Sequence, residues 1–122
     1  MDYSKLSDFE INRAVAIAIG FHPDECDIVK RGSPSVGVEW NEDTGYPIRV
    51  FDYCNNPTDA WPIIVDNRIT MMIDDTTTDW SSALVQDFCD TSAFKYSNCS
   101  KNPLRAAMIT FLMMQDKFNA DV

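Results

Sequence analysis

His22 stands four residues before Cys26, and with Cys54, Cys89 and Cys99 these are the side chains most able to hold zinc. A structural zinc site draws its ligands from closely paired cysteines and histidines, and no C-x-x-C pair occurs here. The four cysteines therefore read as reduced, mostly buried thiols. His22 is the only histidine, so acid–base chemistry near neutral pH would depend on it. It precedes Pro23, with no serine or cysteine nucleophile motif around it, and reads as a surface or capping residue. No G-x-S-x-G, H-E-x-x-H or phosphate-loop pattern is present, and four glycines are little material for a phosphate cradle. Asp74, Asp75 and Asp79 could approach a hard cation. Their segment lacks the glycine and closing glutamate of a calcium loop and reads as a solvated turn. No metal, cofactor or catalytic residue is expected.

A recognition chemistry remains in residues 53–64, YCNNPTDAWPII. Tyr53, Asn56, Asp59, Trp61 and Pro62 place aromatic rings beside polar handles, a mixture that suits interfaces. The structural alternative is a cap at Asn56 and core packing for Trp61. Large aromatic residues of small domains are mostly buried, and Trp40 and Trp80 carry the same default.

The elements that must position these residues are marked by their ends. Ser7 and Glu10 form a capping box, flanked by a Leu6–Ile11 staple. Ile11, Ala14, Val15, Ala18 and Ile19 recur at helical spacing, and Gly20 follows, predicting a helix over 8–19. Residues 21–35 read as a loop with a short helical turn near Asp24. Val36–Trp40 and Tyr46–Tyr53 read as strands of a hairpin around the turn formers 41–45. Asn56-Pro57 and Asn102-Pro103 repeat one device: asparagine caps, and proline suits the first helical position, where its missing N–H costs nothing. Pro62 then implies either a kinked helix or a start near Asp59. Arg68–Ile73 and Trp80–Val85 read as a second pair of strands around a turn at 74–79. Residues 87–101 read as irregular, anchored by Phe88, Phe94 and Tyr96.

The last helix is predicted over 103–117, with a stripe of Leu104, Ala107, Met108, Phe111, Leu112 and Phe118. Ile109 and Met113 project from its other side, so both sides need cover. Either the chain forms a homodimer through Ile109 and Met113, or residues 87–101 fold over that face. The order α-ββ-α-ββ-α predicts an α+β fold, a layered sandwich of helices on a mainly antiparallel sheet.

The length of 122 residues fits a single domain over 1–122, large enough to bury a core without disulfides. The first residues lack a basic stretch followed by an apolar one, and no apolar run approaches the ~20 residues of a membrane span. A cytoplasmic protein is expected. Nineteen acidic residues against ten basic give a net charge of −9, which phosphate backbones repel. Direct nucleic-acid and membrane binding are not expected.

Three segments carry a resemblance: Tyr3–Asn12 (YSKLSDFEIN), Tyr53–Ile64 with its Asn-Asn-Pro-x-Asp-Ala-Trp-Pro phrase, and Asn102–Met108 (NPLRAAM). Together they resemble the NinX family of lambdoid bacteriophages and prophages, across nearly the whole chain. The resemblance implies a small protein of the phage nin region, present in the host bacterial cytoplasm during infection, with no activity and no catalytic residues to carry over.

Three functions are consistent with this reading. The first is a non-enzymatic accessory protein that binds a host or phage protein. The second is a small enzyme or nucleotide-binding protein whose site would assemble from distant residues such as His22, Asp59 and Arg105. The third is an acidic DNA mimic, which requires carboxylates on one side at phosphate-like spacing.

Overall fold

The computed structural model describes residues 2–73, 79–86 and 93–120. Three helices, α1 (Asp8–Ala18), α2 (Pro57–Asp66) and α3 (Pro103–Ala120), alternate with two groups of strands. The first group is β1 (Asp27–Ile28), β2 (Val36–Trp40) and β3 (Pro47–Phe51); the second is β4 (Ile69–Ile73), β5 (Trp80–Gln86) and β6 (Ala93–Ser100). Each group forms its own antiparallel sheet with strands in sequence order. The α+β class and both hairpins are as expected, and each hairpin gains one strand.

Local chemistry sets the element ends. Ser7 Oγ accepts the Glu10 N–H at 3.1 Å, and the Glu10 carboxylate accepts the Ser7 hydroxyl at 3.1 Å. The capping box thus closes through the serine hydroxyl rather than through its backbone N–H. Gly20 follows with φ of +123°, a conformation that favours glycine. The expected turn near Asp24 is a 3-10 turn, Pro23–Glu25, with His22 as its cap: His22 Nδ1 accepts the Asp24 N–H at 3.2 Å.

α3 lies at the centre. It packs on β4, β5 and β6 on one side and on α1 and α2 on the other, and α1 in turn packs on β2. Ala106, Ala107, Met108, Ile109, Phe111 and Leu112 are all buried, which is why the helix reads as apolar nearly all round. Ile109, for which either a second copy or residues 87–101 could supply cover, is 4% exposed, and Met113 is half-buried against the core. For Ile109 the cover comes from within the chain.

Part of that cover corrects the expectation for 87–101. Residues 93–100 form β6, a full strand beside β5. The strand escapes a reading by alternation because its register shifts between Ser82 and Leu84 and Tyr96 takes φ of +57°. One of its polar side chains is spent on α3: Asn98 Nδ2 donates to Ala106 O at 2.9 Å and Thr110 Oγ1 at 2.8 Å, and Thr110 donates to the backbone Tyr96 O at 3.0 Å. Residues 74–78 of the turn predicted at 74–79, Phe88 and Cys89, and the side chains of Phe94 and Phe118 lie outside the described residues. Of the other cysteines, Cys26 and Cys54 are buried free thiols, whereas Cys99 is exposed.

Gly37, between two buried valines of β2, has no room for a methyl group. A Cβ there would stand 2.9 Å from Pro47 Cβ, Trp40 Cζ2 and Val29 Cγ2. Gly37→Ala is expected to cost about 1–3 kcal/mol of unfolding free energy through overpacking. Urea denaturation checks this, and an unchanged midpoint would contradict the packing described.

Candidate functional site

The segment joining β3 to α2 is held by side chains from α1, from α2 and from the residue that caps α3. Asn12, in the middle of α1 and fully buried, donates from Nδ2 to Pro34 O at 2.8 Å and to Asp52 Oδ1 at 2.9 Å. Its Oδ1 accepts the Cys54 N–H at 3.0 Å. Asn55 Nδ2 donates to Asp8 at 3.3 Å and to the Asp52 carboxylate at 3.0 and 3.2 Å. From α2, Asp59 Oδ2 accepts the Asp52 N–H at 2.9 Å.

The two Asn-Pro pairs serve as helix caps. Asn56 Oδ1 accepts the Thr58 N–H at 3.0 Å, and Asn102 Oδ1 accepts Leu104 and Arg105 N–H groups at 3.0 and 3.2 Å. Asn102 does more: its Nδ2 donates to Cys54 O at 2.7 Å and Asn55 Oδ1 at 2.9 Å. Arg105, in the first turn of α3, pairs with Asp8 at 2.7 Å and donates to the carbonyls of Ser4 at 3.2 Å and Leu6 at 2.6 Å. All three segments that carry the family resemblance meet in this network. It is a structural joint in which polar atoms answer one another, not an open site.

The five binding-surface candidates separate on this scaffold. Tyr53 is 1% exposed, so it is a core residue and not part of a surface. Its ring stacks on Phe51, with centroids 5.3 Å apart and planes at 12°. Burial, then the charge of Asp59, hold its phenol above the ordinary range. Asn56 and Asp59 are engaged in capping and in pinning Asp52. Trp61 and Pro62 are exposed.

Trp61 overturns its default. It is 61% exposed, and Val65, one turn later on the same face of α2, is 51% exposed. Ala60, Ile63 and Ile64 occupy the buried side. The helix begins at Pro57, so Pro62 lies in its interior, where it has no N–H for the Thr58 carbonyl. Pro62→Ala restores that donor and is expected to raise stability by about 1–2 kcal/mol. Chemical denaturation tests this; a lowered midpoint would show that the proline ring is itself a packing element.

The residues considered for an assembled catalytic site are each committed elsewhere. His22 is exposed and caps its 3-10 turn, Asp59 pins Asp52, and Arg105 is bound to Asp8 and two carbonyls. Burial pushes the Cys54 thiol up to about 12 and moves Cys26 upward as well. Both therefore stay protonated at neutral pH, unlike an activated nucleophile. Among the described residues, no group of His, Cys, Asp and Glu is arranged to hold a metal ion, and no helix is long and apolar enough to cross a membrane.

No curated protein matches the chain. The family model described as "Bacteriophage P22, NinX" matches residues 2–115, a span that takes in α1, both sheets, the joint at 52–56 and most of α3. The chain belongs to the NinX family of bacteriophage proteins.

Proposed function

We propose that this phage protein is a non-enzymatic binding module that acts in the infected bacterial cytoplasm, and that the Trp61–Val65 face of α2 engages a host or phage protein. One observation carries the reading: a tryptophan 61% exposed on a helix whose opposite side is buried and whose start is fixed by Asn56 and Asp59. An exposed indole has lost the burial that ordinarily stabilises it, and tryptophan is among the residues most enriched at binding hot spots. A rigid helix presenting Trp61, with Val65 one turn on, resembles the anchor spacing of helices that dock by one face. The engagement of His22, Asp59 and Arg105 with separate neighbours gives the enzyme reading no comparable support.

Capture from lysates of infected and uninfected cells tests the proposal, using the tagged protein beside Trp61→Ala and Val65→Ala. A specific partner retained by the parent protein and lost by the folded Trp61→Ala variant is the expected result. Partners held equally by all three proteins would overturn the assignment of this face.

A further inference from the structure

We infer that the β2–β3 hairpin forms a second docking surface, one that takes a basic amphipathic protein segment. The inference stands independently of the Trp61 face. On β3, Ile48 and Val50 are 67% and 46% exposed, and Tyr46, just before the strand, is 73% exposed. These are alternate residues, whereas the intervening Arg49 turns to the Phe21 ring at 5.0 Å and to Glu39 at 2.6 Å. β3 ends its sheet, pairing only with β2 among the described residues. Such apolar side chains at a sheet edge, exposed among the described residues, mark an interaction surface.

The same hairpin borders a cleft of about 410 Å³ lined by Asp24, Glu25, Asp27, Glu39, Trp40 and Glu42. Arg49 neutralises Glu39, and His22 stands 3.7 Å from Asp24. Glu25, Asp27 and Glu42 have no salt-bridge partner among the described residues. Trp40 has both of its roles visible: its indole N–H is used by Glu25 O at 2.8 Å and Gly37 O at 3.2 Å, which leaves the ring system to line an acidic cleft. Aromatic faces beside carboxylates favour lysine and arginine.

Charge complementarity therefore selects the occupant. An apolar strip alone would accept many partners, and carboxylates alone would accept any cation. Together, within a chain of net charge −9, they select a segment with apolar residues on one side and lysine or arginine on the other. It lies across the side chains and does not extend the sheet, because Pro47 offers no N–H at the free edge and Arg49 is charged, two devices that discourage strand addition.

The probe is a short fluorescein-labelled amphipathic helix of leucine and lysine, titrated by anisotropy. Four variants, each first shown to be folded by circular dichroism, accompany the parent protein. They are Ile48→Ser with Val50→Ser, Asp27→Lys with Glu42→Lys, Asp2→Lys with Asp66→Lys as a control of equal charge change, and Trp61→Ala. The first two pairs are expected to weaken binding roughly tenfold or more, and the control pair less than about threefold. Trp61→Ala is expected to leave binding unchanged. Should Ile48→Ser with Val50→Ser fail to fold, Ile48→Ser alone takes its place. The inference is overturned by absent binding, by a control as damaging as the cleft variant, or by indifference to the β3 serines. Loss with Trp61→Ala would assign the probe to α2, overturning this inference while leaving the proposed function standing.

Discussion

Asn12→Ala is expected to lower the unfolding free energy by about 3–5 kcal/mol, among the largest effects of any single substitution in this chain. The side chain is fully buried and makes three hydrogen bonds to two separate segments, at Pro34, Asp52 and Cys54. Removing it leaves the buried Cys54 N–H and the part-buried Pro34 carbonyl without this partner. Each unpaired buried group costs about 1–3 kcal/mol, and the vacated volume adds a cavity cost. Asn12→Asp is expected to be worse still, because it sets a carboxylate oxygen where Nδ2 now meets Asp52 Oδ1 at 2.9 Å. Urea unfolding followed by far-ultraviolet circular dichroism measures both. A loss below about 1 kcal/mol for Asn12→Ala would mean that the joint at 52–56 is held by Asn55, Asp59 and Asn102 without it.

The second large effect separates function from stability on one helix. Trp61→Ala is expected to change stability by no more than about 0.5 kcal/mol, as exposed positions do. It is expected to cost at least about 2 kcal/mol of partner affinity, a loss of roughly thirtyfold. Ile64→Ala, three residues on and 4% exposed, is expected to do the opposite: a loss of about 2–4 kcal/mol in stability through an emptied core position. Thermal unfolding and a binding titration on the same two variants check the contrast. Equal destabilisation by both would place the indole against the protein and not in solvent.

These effects also show what a single sequence discloses. The start of α1, the two Asn-Pro caps and the β2–β3 hairpin are legible because their determinants lie within a few residues: Ser7 with Glu10, Asn56 with Thr58, the turn formers 41–45. β1 is two residues long and exists only through its pairing with β2, so no local pattern announces it. β6 is hidden by a register shift and by a polar residue, Asn98, that faces α3 instead of solvent. The end of α2 is hidden too, since Arg68 takes φ of +54° where glycine or asparagine is usual.

The candidate site was legible in part. Capping by Asn56 follows from its neighbours, whereas the second role of Asn102, reaching back to Cys54 and Asn55, depends on a contact far away in sequence. Of the surface candidates, Tyr53 is in the core and Trp61 departs from its core default, for the same reason. Which side of α2 meets α3 and β4 is decided by tertiary packing, and that packing takes Ala60, Ile63 and Ile64. The acidic cleft was equally out of reach, because its carboxylates come from separate stretches of chain that read as dispersed charge until the 3-10 turn and the hairpin bring them together.

The most direct measurement places a photo-crosslinking amino acid at position 61 during infection, with the same residue at exposed Lys5 as control. The expected result is one discrete crosslinked protein from position 61 and none from position 5. The absence of any crosslink specific to position 61, in a protein that is folded and abundant, would contradict a binding role for this face.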